Sequence, residues 1–339
     1  MRSKMILAAA LVMWTALSAE PSATLRDMAC NPDATGAEPD DVQHGIVAFS
    51  AIYMNQSPDY ESPLETQELM GTEVEVVGRQ GFWLEIICPQ PYRAWTTDKG
   101  IVLMTGEQLE LYRKAPKCIF TGQTGSVLRS PGRDADPVCD LVAGDILRIA
   151  PTPGGCSRKG TCGIFTAVLL PDGRQGYVET DSVKPLDAWT RRCAALTAEQ
   201  RRQGAVAFAR KMCGVPYLWG GMTTKGADCS GLSRLSYMSV GVSLPRNASQ
   251  QALLGTEIPV PVKADGVYDT SVLLEGDLVF FGKVKEDGSR KVTHVGMYAG
   301  DGHMIHSSHM VRINSMHADE PDCYENIGRL LFAKRIVAQ

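Results

Sequence analysis

The sequence has little that would bind a polyanion. Its 339 residues include 34 Lys and Arg against 38 Asp and Glu, a formal net charge of −4, and the basic residues form no run or stripe. Beyond the N-terminal region it also lacks an apolar run of about 18 residues, the minimum for a membrane-spanning helix. These absences argue against a nucleic-acid partner and against membrane insertion of the mature chain.

Residues 1–19 have the pattern of an export signal. Arg2 and Lys4 precede a short apolar run, and small residues offer a cleavage point just before Glu20. No cysteine stands at that point, so a lipoprotein anchor is not expected. We therefore expect a secreted or periplasmic protein, in which disulfides can form.

The ten cysteines do not fix a disulfide pattern. If one of them is reserved for chemistry, nine remain, so at least one is free or pairs between molecules. The candidate pairs are Cys30–Cys88, Cys118–Cys139 and Cys156–Cys162.

Two strand-rich segments follow a short N-terminal segment at 20–44. Residues 45–112 include GTEVEVV and FWLEIIC, and residues 113–187 include GDILRIA and CGIFTAVLL. Short strands separated by Gly, Pro and Asp predict two small all-β barrels.

The pattern changes over residues 188–339. Thr197 and Gln200 form a predicted capping box at the start of one helix, and a second helix follows Asp228. The strands predicted after these helices are Asp277–Gly282, Val292–Gly300, His303–Ser308 and Arg329–Val337. Helices followed by antiparallel strands predict an α+β domain.

Cys229 has the sequence environment of a nucleophile. Asp228 is a strong N-cap residue, which places Cys229 in the first turn of the second helix. A thiolate there faces free N–H groups and the positive end of the helix dipole, so we expect a lowered thiol pKa.

Five of the six histidines lie at or beyond His294. On a strand, His294 shares a face with Gly296. A three-residue turn, Gly300–Gly302, would bring His306 to that face, whereas a two-residue turn would bring His303 or His309. The segment HMIHSSH lacks the HExxH pattern, so we expect no metal or other cofactor, and His303, His309 and His317 are expected to be exposed loop residues.

Five motifs in order resemble the NlpC/P60 peptidases, a branch of the papain-like cysteine peptidases. They are PYLWGG (Pro216–Gly221), DCSGL (Asp228–Leu232), LPR (Leu244–Arg246), GDLVFF (Gly276–Phe281) and HVGMYAGDGHMIHSS (His294–Ser308). The resemblance covers roughly residues 196–339 and implies a papain-like catalytic domain. It implies Cys229 as nucleophile, His294 as base and His306 as the residue that orients the base. It also implies that Tyr217 and the N–H of Cys229 stabilise the oxyanion.

The upstream segments resemble bacterial SH3-like domains, and the first is similar to the one that precedes the catalytic domain of γ-D-glutamyl-L-diamino-acid endopeptidases. In those enzymes an acid from this domain completes a pocket for the free amine of L-Ala. Here Pro63 stands where that acid is expected, which leaves Glu61 or Glu65 as candidates, and Asn55 stands where an arginine is common. Tyr92 is the candidate aromatic contact.

The same resemblance implies that Asp228 and Ser230 face the substrate's amino group. We therefore expect a monomeric exported cysteine endopeptidase that hydrolyses the γ-D-Glu–L-diamino acid bond, with L-Lys or meso-diaminopimelate, of peptidoglycan stem peptides. A preference for stem peptides with a free N-terminal L-Ala would make the protein an enzyme of murein peptide recycling. The alternatives are a D,L-endopeptidase of intact peptidoglycan and a catalytically vestigial wall-binding protein.

Overall fold

The structure is a computed structural model that describes residues 43–89, 91–151, 161–263 and 267–337. The predicted export signal at 1–19, most of the segment 20–44, and Cys30 and Cys156 lie outside the described residues. None of the helices in these ranges combines the length and the hydropathy that a bilayer span requires.

The first sheet is built from seven antiparallel strands. They are β1 (Gln43–Val47), β2 (Ala51–Asn55), β3 (Leu64–Leu69), β4 (Glu73–Gln80), β5 (Trp83–Ile87), β6 (Arg93–Thr97) and β7 (Ile101–Met104). Their order is β3-β2-β6-β5-β4-β1-β7, and among the described residues no ladder joins β3 to β7, so the expected closed barrel is not formed. The edge strand β3 is instead covered by the C-terminal part of the chain, where Met222 N donates to Gln67 Oε1 at 2.8 Å.

The second sheet follows helix α1 (Gly106–Lys114). Its strands are β8 (Lys117–Phe120), β9 (Thr124–Leu128), β10 (Pro137–Val142), β11 (Ile146–Ile149), β12 (Thr161–Cys162), β13 (Phe165–Leu169), β14 (Gln175–Glu179) and β15 (Val183–Pro185). The order is β10-β9-β14-β13-β11-β8-β15, with β12 on β13, and this path is also open within the described ranges. Cys118 on β8 and Cys139 on β10 both have free thiols, so the predicted disulfide between them is wrong; their strands lie near opposite ends of the sheet order.

The C-terminal part has the predicted α+β arrangement. Its helices are α2 (Leu186–Ala194), α3 (Ala198–Lys211), α4 (Cys229–Met238) and α5 (Ala248–Gln251). A two-stranded ribbon, β16 (Met222–Thr223) and β17 (Gly226–Ala227), precedes α4. The main sheet contains β18 (Thr256–Ile258), β19 (Leu278–Val284), β20 (Arg290–Gly300), β21 (His303–Ser308), β22 (Met310–Ser315) and β23 (Leu330–Arg335), in the order β18-β23-β19-β20-β21-β22.

Helices α3 and α4 pack on one face of this sheet around a common apolar core. Leu235 of α4, Phe280 of β19 and Val295 of β20 are fully buried in it. The predicted capping box is confirmed, since Gln200 N donates to Thr197 Oγ1 at 3.2 Å and Thr197 N donates to Gln200 Oε1 at 2.9 Å. Local caps and shared apolar burial thus fix where α3 begins and which face it buries.

The end of strand β3 joins the three parts of the molecule. Leu69 belongs to the core of the C-terminal part, and the next residue, Met70, belongs to the core of the second sheet. Met70 N also donates to Asp145 Oδ1 at 3.2 Å. Glu68 pairs with Arg234 of α4 at 3.7 Å, with both side chains buried. Three consecutive residues at the end of β3 and in the turn after it therefore hold the first sheet against the other two parts.

Candidate active site

The N-terminus of α4 places Cys229 at its first helical residue. Asp228 is the N-cap, as predicted, and its Oδ1 accepts a hydrogen bond from Gly231 N at 2.7 Å. Leu232 and Leu235 of the same helix are buried in the core that the helix shares with the main sheet. The cysteine is therefore held by a capped, well-packed helix.

The hairpin between β20 and β21 determines which histidine faces His294. Asp301 and Gly302 have φ of +51° and +73°, which fits a two-residue type I′ turn. The register shifts between Tyr298 and Gly300, so Ala299 is an extra residue on β20. The structure therefore differs from both predicted turns. The turn has two residues, but the extra residue at Ala299 shifts the strand register by one, so His306 lies on the same face of the sheet as His294.

The two histidines form a short hydrogen-bonded chain. His294 Nε2 lies 2.9 Å from His306 Nδ1, and His306 Nε2 lies 2.9 Å from Asn314 Oδ1 of β22. His306 is completely buried. Since Nε2 of His294 faces His306, Nδ1 is the ring nitrogen of His294 that His306 does not engage.

Tyr324 packs on both imidazoles and was not found from the sequence. Its ring stacks on His294 with centroids 5.6 Å apart and meets His306 edge-on at 4.7 Å. The side chain is 5% exposed and also contacts Phe281. Tyr324 follows β22 in an irregular segment with no pattern of its own, so no local signal connected it with the histidines.

The hydrogen-bonded pair of His294 and His306 does not include the other three C-terminal histidines. His309 is exposed, while His303 and His317 are half-buried and face acids. His303, Glu320 and Asp322 bring their ligand atoms within 4.8 Å of one another, the one described group whose spacing would suit a cation. Glu320 and Asp322 lie 3.7 and 3.8 Å from His303 Nε2.

Burial shifts the pKa of the Cys229 thiol and that of the His294 imidazole in the directions that favour their neutral forms. Burial, and secondarily the charge of Asp228, raise the pKa of Cys229 to about 11, although main-chain groups of Val295 and Ser230 oppose the rise. Burial and the neighbouring His306 lower the pKa of His294 to about 3. The expected lowering of the Cys229 pKa is therefore wrong, because burial and Asp228 outweigh the helix N-terminus.

Tyr217 lies beside Cys229 as a protonated phenol. Burial, with the charges of Cys229 and Asp228, raises its pKa to about 12. Its main-chain N–H donates to His309 O at 2.8 Å, which fixes the strand-like segment that carries it. A half-buried phenol that stays protonated is suited to donate a hydrogen bond to a developing oxyanion.

Both the sequence and the fold are similar to those of known proteins. A model of the NlpC/P60 family matches residues 214–324, which include Cys229, His294 and His306. A probable endopeptidase of Corynebacterium glutamicum is 36% identical over 195 residues, 57% of this chain and 81% of that protein. The chain belongs to the NlpC/P60 family. It is therefore a cysteine peptidase, and as a family member its peptidase domain has the papain-like fold.

Two further comparisons extend upstream of the NlpC/P60 domain. The γ-D-glutamyl-L-lysine dipeptidyl-peptidase of Bacillus cereus is 27% identical over 258 residues, 72% of this chain and 67% of that protein. A crystal structure of an NlpC/P60 family protein from Bacillus cereus superimposes with a TM-score of 0.66 and 22% identity, covering 87% of this chain and 100% of that one. The likeness of fold thus includes sheet-rich regions as well as the peptidase domain.

Asp228 of this NlpC/P60 domain is saturated with donors. Arg246 reaches its two oxygens at 3.0 and 2.5 Å, and Gly220 N and Ser230 Oγ each donate at 3.1 Å. With Gly231 N, five donors meet a group with about four lone-pair sites. Asp228 and Ser230 are hydrogen-bonded to each other, and Arg246 balances the charge of the carboxylate.

The first sheet brings a second acid toward the NlpC/P60 domain. Glu65 accepts a hydrogen bond from Tyr92, and burial together with Glu65 raises the pKa of Tyr92 to about 12. Tyr92 also hydrogen-bonds to Asn247, beside Arg246. The main chain of Glu65 lies against Gly220: a Cβ added at Gly220 would be 3.2 Å from the carbonyl carbon of Glu65. Glu61 is exposed in the turn after β2, so the structure places Glu65, rather than Glu61, beside Tyr92.

Proposed function

We propose that the protein hydrolyses the γ-D-Glu–L-diamino acid bond of peptidoglycan stem peptides whose N-terminal L-Ala is free. The relative named γ-D-glutamyl-L-lysine dipeptidyl-peptidase supports this bond specificity, because its similarity extends over 72% of the chain and beyond the peptidase domain. A dipeptidyl-peptidase releases a dipeptide from a free amino end, which for this bond is L-Ala-γ-D-Glu.

The proposed reaction is acyl transfer through Cys229. The sulfur attacks the γ-carbonyl while the thiol proton moves to Nδ1 of His294, and the imidazolium then gives that proton to the leaving amine. Cys229 N–H and the Tyr217 hydroxyl donate to the oxyanion, and loss of one such donor costs roughly 3 to 4 kcal/mol of transition-state stabilisation. Water then hydrolyses the acyl-enzyme with His294 as base.

The observation that carries the proposal is the position of Glu65 and Tyr92. A substrate ammonium that leaves water needs an anionic partner, and without one it loses several kcal/mol. Asp228 is already neutralised by Arg246, so Glu65 supplies the net negative charge at the amino end of the cleft. The first sheet, which carries Glu65, then excludes a longer or acylated amino end.

The test compares L-Ala-γ-D-Glu-L-Lys and its meso-diaminopimelate counterpart with their N-acetylated forms, using one enzyme preparation. We expect kcat/KM on the free peptide to be at least about a hundredfold higher, which corresponds to about 2.7 kcal/mol. Glu65→Gln should reduce this ratio, because glutamine can still accept from Tyr92 but has no charge. Glu61→Gln is the matched control and should leave the ratio unchanged.

Two results would redirect the proposal. Equal rates on free and acetylated peptides, with release from intact sacculi, would favour a D,L-endopeptidase of the polymeric wall; the DL-endopeptidase CwlT of Bacillus subtilis is 40% identical over 101 residues. Binding to sacculi without turnover of any peptide would favour a wall-binding protein.

We also propose that residues 1–19 direct export and that residues 45–112 and 113–187 are SH3-like domains ahead of a peptidase domain at 188–339. Export with signal cleavage predicts that protein recovered from the periplasm or medium begins at Glu20. Recovery of the chain from the cytoplasm alone, with Met1 intact, would contradict export.

A further inference from the structure

Asn314 connects the hydrogen-bonded pair of histidines to a main-chain oxygen. The residue lies on β22 and is 9% exposed. Its Oδ1 is 2.9 Å from His306 Nε2, and its Nδ2 donates to the main-chain oxygen of Asp322 at 2.7 Å. Both ends of the amide are therefore engaged, one by the imidazole and one by the segment that follows β22.

The hydrogen-bond partners of Asn314 determine which ring nitrogen of His306 and which ring nitrogen of His294 carries a proton. A main-chain carbonyl only accepts, so the amide nitrogen of Asn314 must face Asp322 and its oxygen must face His306. His306 Nε2 must then carry a proton, which leaves Nδ1 of His306 as an acceptor. That acceptor takes the Nε2 proton of His294, so Nδ1 of His294 is unprotonated.

The opposite assignment would disable the base. If His306 carried its proton on Nδ1, it would donate to His294 Nε2, and neutral His294 would then carry its own proton on Nδ1. That nitrogen could not accept from Cys229. The observed arrangement also survives proton transfer, since imidazolium of His294 still donates through Nε2 to His306.

We propose that Asn314 is a positioning residue that sets the tautomers of His306 and His294 and so makes His294 the acceptor for the thiol proton. The proposal rests on the proposed function, because it assumes that Cys229 and His294 carry out the reaction. Asn314 does not touch the substrate and acts only through His306.

A neutral amide suits this role better than a carboxylate. His306 is also near Arg312 and Glu325, and His294 is near Arg312 and Arg329. A carboxylate at position 314 would keep the acceptor for His306 Nε2 but would add a negative charge, which favours imidazolium and raises the pKa of both rings. Asn314→Asp is therefore expected to keep the tautomers and to move the acid limb of the pH–kcat profile to higher pH.

The test measures Asn314→Leu and Asn314→Asp in the full chain. In Asn314→Leu we expect kcat to fall about 10- to 100-fold with KM nearly unchanged, because substrate binding is not altered. In protein with 15N-labelled histidine, the wild type should show His306 protonated on Nε2, and Asn314→Leu should show a mixture of tautomers. Asn314→Asp should recover most of kcat with the shifted pH profile. Ser315→Ala, on the same strand, is the matched control and should leave kcat and the tautomers unchanged.

The double variant His306→Ala/Asn314→Leu separates this role from general destabilisation. If Asn314 acts through His306, the double variant should have the same kcat as His306→Ala. An additional loss in the double variant, or wild-type kcat and tautomers in Asn314→Leu, would overturn the proposal. Activity retained in Cys229→Ala would instead overturn the proposed function, so the two failures are distinguishable.

Discussion

At the scale of single residues, the thiol of Cys229 gives a prediction about alkylation. Because its pKa is raised to about 11, the thiolate fraction should still be rising with pH through neutrality and into the alkaline range. We expect the rate of iodoacetamide labelling at Cys229, followed by mass spectrometry, to increase without a plateau from pH 6 to pH 10. A plateau near pH 7 would mean that a thiolate–imidazolium pair already exists in the free enzyme.

The labelling rate of Cys229 can also be compared between the wild type and a variant at its neighbour Asp228. Asp228 raises the pKa of Cys229 and Arg246 lowers it, so removing the carboxylate charge removes the first effect and leaves the second, which lowers the pKa. Asp228→Asn should therefore label faster than wild type at pH 7 to 8, and asparagine still caps the helix. Cys213, which is exposed, serves as the internal reference in both proteins.

The histidines differ in what each contributes, which gives a second prediction. His294→Ala should remove nearly all peptidase activity, because the base is lost. His306→Ala should leave a small residual activity, since in the proposed mechanism this ring only orients the base, 2.9 Å from its Nε2. His309→Ala should be close to wild type, because this side chain is exposed. A larger kcat loss in His309→Ala than in His306→Ala would contradict the observed register.

At the scale of elements, the β20–β21 hairpin gives a third prediction. Asp301 is exposed with φ of +51°, a conformation that asparagine tolerates and a β-branched residue does not. We expect Asp301→Asn to be neutral and Asp301→Val to lower the free energy of unfolding by about 1–2 kcal/mol, measured by urea denaturation. Equal stability of the two variants would argue against the type I′ turn.

Sequence reasoning predicted elements best where the signal was local. The capping residues Thr197 and Asp228 fixed the starts of α3 and α4, because a cap and its first turn are adjacent in the chain. The face that His306 occupies was left open from the residues alone. Alternation along a strand counts residues, and the bulge at Ala299 changes the count without any mark in the sequence.

The contacts that complete the site were beyond local patterns. Asn314 and Tyr324 reach the histidines from β22 and the segment after it, and Arg246 reaches Asp228 across the cleft. The pKa of Cys229 was mispredicted for a similar reason. The direction of the pKa shift depends on burial by the folded domain, whereas the sequence indicates only where the helix starts.

At the scale of the whole molecule, the ion pair between Glu68 and Arg234 gives a fourth prediction. Both side chains are about 5% exposed, so removing one partner leaves a buried charge without compensation. Glu68→Gln or Arg234→Met alone should each lower the free energy of unfolding by about 3–5 kcal/mol. The double variant should lose clearly less than the sum, as measured by a double-mutant cycle in denaturant. Additive losses would mean that the pair contributes no coupling.

The three parts of the molecule are not independently closed units. The described strands of both sheets form open paths, and the edge strand β3 is protected by the peptidase part through Gln67 and Leu69. The barrel expectation came from strand spacing, which reports how many strands there are but not whether the first pairs with the last. Closure was therefore outside what the sequence pattern could decide.

The position of β3 has a consequence for the order in which the parts of the chain can fold. Glu68 and Leu69 emerge long before Arg234 and the apolar face of α4 have been translated. Until then the first sheet has an apolar core of its own, but it exposes an unpaired edge and a carboxylate whose counter-ion has not yet been made. We therefore expect a chain that ends before Arg234 to leave this edge of the first sheet open to proteases and holdase chaperones.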